Sequence, residues 1–215
     1  MNCANGGIAL SDEIGVTKGL PRRSNLRPYN RLHQTITGRM MHQALAEKHR
    51  IALDVLRGCV GLRVAGLARS RYLFNGMPDK VDAGDLELRF HGGRTVVLSL
   101  ASDGESVKAE EGSLRLPEAF TLDSGSTCAW ERVELSNQEL FVQIMNEPLV
   151  SVDAVVDHWQ DIDHRSLTGW VLHFSDQILT YVNQGDESGI GLDLPPANGF
   201  TVTTLEDIAE LPAAR

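Results

Sequence analysis

At 215 residues, with 42% hydrophobic and 23% charged side chains, the chain has the makeup of one large or two small globular domains, which excludes disorder throughout. Its charge is split: residues 1–39 carry Lys18, Arg22, Arg23, Arg27, Arg31 and Arg39 against Asp12 and Glu13, a net +4 that leaves −13 on the rest of a chain totalling −9. Such an acidic body argues against nucleic acid as its partner and for a basic protein surface, leaving the basic arm as the one segment suited to nucleic acid.

No apolar run approaches the roughly 20 residues of a membrane-spanning helix, and "MNCANGGIALSDEIG" lacks the basic and apolar regions of a secretory signal. Cys3, Cys59 and Cys128 are scattered, with no C-x-x-C spacing, as expected of reduced thiols in a soluble, cytoplasmic protein.

Residues 1–38, with Gly6-Gly7, Pro21 and Pro28 and no sustained period, read as a basic, flexible arm. Met40-Met41 supplies an alternative start, so this stretch is either an arm or an upstream extension. From Met41 the apolar positions Leu45, Ala52, Leu53, Val55 and Leu56 fit one face of a helix that Gly58 can end. "VGLRVAGLARSRYLF" then reads as strand, and "DLELRF", turn "HGG" and "RTVVLSL" as a hairpin. The acidic turn "SDGES" follows, and the unit 39–117 closes near Pro117.

A connecting region with the loop Ser124-Gly125-Ser126 feeds the strand "WERVEL". Ser136 and Glu139 have the spacing of a capping box, predicting a short helix through Leu140, Phe141, Ile144 and Met145 that stops before Pro148. Strands "LVSVDAVVDHW", "GWVLHF" and "QILTYV" and a second acidic turn, "QGDES", complete the unit 118–198. Leu88 then aligns with Leu172, Phe90 with Phe174, Val97 with Leu179, Leu100 with Val182, Glu105 with Glu187 and Ser106 with Ser188. This correspondence predicts an α+β fold made by tandem duplication of a helix followed by an antiparallel β-meander, its helices packed on one face of the sheet or sheets. In residues 199–215, Thr203 and Glu206 predict a short C-terminal helix.

Dinucleotide, P-loop, zincin, nucleophile-elbow and EF-hand signatures are all missing, so no cofactor is expected. Two candidate sites follow. Asp103, Glu105 and Ser106 with Asp186, Glu187 and Ser188 form a binding surface, or a carboxylate dyad, if the fold joins the two turns; otherwise they are what tight turns require. In "DHWQDIDHR", Asp157, His158, Asp161, Asp163 and His164 offer oxygen and nitrogen ligands for a metal. Strand alternation separates Asp157, Asp161 and Asp163 from His158 and His164, so a metal needs a turn near Asp161.

The function that best suits these features is a non-enzymatic acidic module engaging a basic partner protein, such as a neutraliser of a cationic toxin or nuclease. A small-ligand or metal enzyme with its site between the repeats, and a homodimer paired through edge strands, are the alternatives.

Overall fold

The structure is a computed structural model and describes residues 49–79, 82–159, 164–185, 187–193 and 200–204, all within one compact unit, Arg31–Arg215. Helical residues 49–57, here α1, carry Ala52, Leu53 and Leu56 on one buried face, the i, i+1, i+4 spacing of an amphipathic helix. The turn continues past Gly58, and the left-handed conformation falls at Gly61, φ 85°, whose amide donates to the Leu149 carbonyl.

Among the described residues twelve strands follow, in two antiparallel sheets. The first sheet contains β1 (Val64–Phe74), β2 (Met77–Pro78), β3 (Leu86–Phe90), β4 (Thr95–Leu100), β5 (Val107–Glu111), β6 (Phe120–Thr121) and β7 (Thr127–Glu134). Its order is β5-β4-β3-β1-β7-β6, with β2 folded back on β1. The second contains β8 (Ser151–Trp159), β9 (His164–His173), β10 (Ile178–Asn183), β11 (Ser188–Leu192) and β12 (Phe200–Thr204), in the order β11-β10-β9-β8-β12.

Alternation decides which side chains turn inward. Leu67, Leu86, Leu88, Val96, Leu98 and Ala109 from the first sheet join Val152, Ala154, Leu167, Trp170, Leu172, Leu179 and Tyr181 from the second in a single core. The buried face of α1 and Phe141, Ile144 and Leu149 complete it. Burial of a large apolar side chain contributes about 1.5–3 kcal/mol, so this shared core is what unites the sheets.

The predicted α+β duplication is overturned, because the described residues are nearly all β with a single α-helix. Where the second helix was expected there is only one 3-10 turn, Val142–Ile144. The reason is tertiary: Ser136 Oγ does not cap a helix but accepts from the Leu67 amide at 2.8 Å and donates to its carbonyl at 3.2 Å. The expected repeat also fails in register, since Val97 faces away from the core whereas its aligned partner Leu179 is fully buried in it. Strand β7, from the connecting region, pairs with β1 in the first sheet, while β12 holds the equivalent place beside β8 in the second; β2 and β6 have no counterparts there among the described residues. Thr203, expected to cap a C-terminal helix, lies within β12; Glu206 and the rest of that prediction fall outside the described residues.

Candidate functional site

The loop 82–85 joins β2 to β3 and reaches the second sheet. Asp82 Oδ1 accepts from the Gly84 amide (2.9 Å), the Ser188 amide (2.9 Å) and Ser188 Oγ (2.8 Å). Ser188 Oγ also lies 2.8 Å from the Gly84 carbonyl, which Tyr181 Oη approaches at 3.4 Å, and the Ala83 amide donates to the Ser188 carbonyl. Arg69 donates to the Asp82 and Ala83 carbonyls. Gly84 is required here: its φ is 72°, and a Cβ would stand 2.2 Å from the Ser70 carbonyl oxygen.

This clasp sets the two acidic turns side by side. Asn183, at the end of β10, donates from Nδ2 to the Gly104 carbonyl at 3.1 Å, inside the "SDGES" turn. Within that turn Asp103 Oδ1 accepts from the amides of Glu105 (2.9 Å) and Ser106 (2.8 Å), and Oδ2 accepts from Ser106 Oγ (2.6 Å). Ser106 and Ser188 are buried and their hydroxyls are engaged in these internal bonds, so neither is presented as a nucleophile or ligand. Glu105 is exposed, Glu187 is half-buried, and Asp186 lies outside the described residues.

The electrostatics of this end are those of crowded carboxylates. Burial pushes Asp85 up to about 6; Lys108 opposes the shift, and Asp82 and Glu110 add to it. Tyr181 is pushed upward by burial and then by the Asp85 charge. What the arrangement can do chemically is present negative charge, from Asp82, Asp85, Asp103, Glu105 and Glu187, around a hydrogen-bonded backbone hub.

The second sequence candidate falls mainly outside the described residues. Asp161 and Asp163, with the side chains of His158 and His164, are not among them. The backbone pairs His158 with Arg165 and Trp159 with His164, and Asp157 pairs with Ser166. Among the described residues no group of three or more His, Cys, Asp or Glu is placed to hold a metal.

One group missed by sequence reasoning stands on the outer face of the first sheet. Glu87, buried, is gripped by Arg132 through Nη2–Oε1 at 2.6 Å and Nη1–Oε2 at 3.1 Å. Arg132 Nε reaches Glu134 Oε1 at 3.0 Å, Arg89 Nη2 meets Glu134 Oε2 at 2.5 Å, and Arg89 Nε returns to Glu87 Oε1 at 3.6 Å, closing a ring of four charges. The Leu114 amide donates to Glu87 Oε2 at 2.7 Å. Because β5 and β6 are opposite edges of the path, residues 112–119 cross this face, and Glu87 pins them there. The available signal was opposite charges two apart in "LELRF" and "WERVEL", which share a face in adjacent strands.

No protein-family model matches the chain, and no curated protein or solved structure is detectably similar to it. Among the described residues no helix is long and apolar enough to cross a membrane.

Proposed function

We propose that this chain is a non-enzymatic acidic binding module that engages a basic partner protein through the end where its two acidic turns meet, as a neutraliser of a cationic toxin or nuclease would. The observation that carries the reading is the Asn183–Gly104 bond, which draws the turn holding Asp103 and Glu105 against the strand that leads into Glu187. Asp82 and Asp85 lie in the same hub, so the carboxylates add into one field instead of two separate ones. The engaged hydroxyls of Ser106 and Ser188 favour binding over nucleophilic catalysis.

Electrostatic recognition of this kind gives fast association and weakens with salt. Cys59 and Cys128 are free and buried, which suits a reducing compartment such as the cytoplasm.

The test is affinity capture with the native chain and with a Glu105→Lys/Glu187→Lys variant. The reading expects a basic protein retained by the native chain, released as ionic strength rises from about 0.05 to about 0.5 M, and lost from the variant. Capture that survives both charge reversal and salt would refute it.

A further inference from the structure

The outer face of the first sheet changes character along its length. Beyond the ring of Glu87, Arg89, Arg132 and Glu134, β1 and β7 pair Tyr72 with Trp130 and Phe74 with Cys128, which brings these side chains onto that same face. Phe120 on β6, opposite Cys128, and Met77 on β2, opposite Phe74, join them, and alternation along the chain adds Leu122. The ring centroid of Trp130 lies 5.2 Å from that of Tyr72 and 6.0 Å from that of Phe120. The exposed hairpin between β1 and β2 is held in place. Asn75 and Gly76 both have positive φ, 51° and 76°, the two-residue turn that Asn-Gly favours. The Asn75 amide donates to the Thr127 carbonyl at 2.8 Å, and Asn75 Oδ1 accepts from the Thr127 amide at 2.7 Å. Met77 is thus presented at 71% exposure, with Phe120 at 50%, Phe74 at 44% and Leu122 at 42%.

With roughly 200 Å² for a whole side chain of this size, these fractions and the partly exposed Tyr72 and Trp130 amount to about 500 Å² of continuous apolar surface. That is in the upper part of what a monomer ordinarily shows. It also matches the apolar share, about 65%, of the roughly 800 Å² that each chain of a standard-sized dimer buries. Charge points the same way. The neighbouring ring of two arginines and two glutamates is neutral, and the margin around β6 carries Arg115 as well as Glu118 and Asp123, in contrast to the net −13 of residues 40–215. A basic partner is drawn to the acidic turns, whereas this face lets two acidic chains meet with little like charge opposed. We infer that it is the interface of a homodimer, in which two copies pack this patch against itself about a two-fold axis, through the sheet face and not through edge strands. The patch is self-complementary in kind: three aromatic rings form a platform, and the flexible thioether of Met77 suits the rings of the other copy. Rings already packed against one another lose little freedom on association.

The experiment is sedimentation equilibrium of the full chain, native and as Met77→Asp and Phe120→Asp. The native chain should sediment at twice the mass of one chain at about 100 μM, with a dissociation constant in the micromolar range or tighter. Raising the ionic strength from about 0.05 to about 0.5 M should not weaken it, because apolar burial is not screened. Each substitution should raise the dissociation constant roughly tenfold or more. Both side chains are half or more exposed, so the thermal midpoint of each variant should stay native, and two sites on different strands keep the test available if one substitution perturbs folding. A native chain that is monomeric at about 100 μM overturns the inference, even if another protein is found to cover this face. A dimer that survives both substitutions overturns it equally. The Glu105→Lys/Glu187→Lys variant should dimerise as the native chain does, so failure of basic-partner capture and failure of the dimer are separate results.

Discussion

Glu87, buried, and Asp85, half-buried, are two carboxylates that the chain treats in opposite ways. For Glu87, burial pushes the carboxyl up, but the Arg132 hydrogen bonds, the Leu114 amide and the charges of Arg132 and Arg89 outweigh it and hold the group below its ordinary range. Its folded value is depressed, so its stabilisation is complete above the unfolded value of about 4.3 and is lost as pH falls through the folded one. Glu87→Ala should cost about 3 kcal/mol, the scale of breaking a buried pair and leaving its arginine uncompensated, and should flatten the acid limb of a urea-denaturation series. Native-like stability in that variant would contradict the role given to the ring.

Asp85 shows the reverse sign. Its folded value is raised by burial to about 6, against an unfolded value of about 3.9, so ionising it opposes folding, progressively between those two pH values and fully above the higher. Asp85→Asn should therefore stabilise the protein by about 2–3 kcal/mol at neutral pH and leave stability unchanged below about pH 4. Calorimetry across that range checks it; a variant less stable than the native chain at pH 7 would sink the assignment. A carboxylate held at a cost to stability is what a site selected for charge would contain.

At the scale of elements, the clasp between loop 82–85 and the start of β11 carries the site. Ser188→Ala removes the donor to Asp82 and Gly84 and should cost about 1–3 kcal/mol. Gly84→Ala should cost more, because the loop cannot hold φ 72° with a Cβ against the Ser70 carbonyl. Thermal melts that leave Gly84→Ala at the native midpoint would show that the loop seats differently.

The same scale explains what could be read in advance. The β3–β4 hairpin was legible because Leu86, Leu88 and Phe90 alternate before Gly92 and Gly93, both with left-handed φ, and the α1 face was legible from Ala52, Leu53 and Leu56. The second helix was misread because Ser136 and Glu139 have capping spacing locally, while the Ser136 hydroxyl is claimed by Leu67, far away in sequence. The meander alignment failed because matching residue types across β4 and β10 ignored which face each residue takes; a slip of one position exchanges core and exterior. Within the candidate site, the turns themselves were visible as Asp, Gly and Ser. Their juxtaposition was not, since it depends on Asn183, Asp82 and Gly84, whose partners lie 79 to 106 residues distant.

Taken as one molecule, the protein is two antiparallel sheets sharing a core, with the two acidic turns joined at one end of β10. Ionisation of Asp85 adds to the field, so association should strengthen as pH rises through about 6. The most direct measurement is the association rate constant of the captured basic partner, for the native chain and for Glu105→Lys/Glu187→Lys, at low and high ionic strength. A fall on the order of tenfold or more with added salt for the native chain, and a slow, nearly salt-independent rate for the variant, are predicted. Equal rates and equal salt slopes for the two proteins would contradict the assignment of the joined acidic turns as the docking surface.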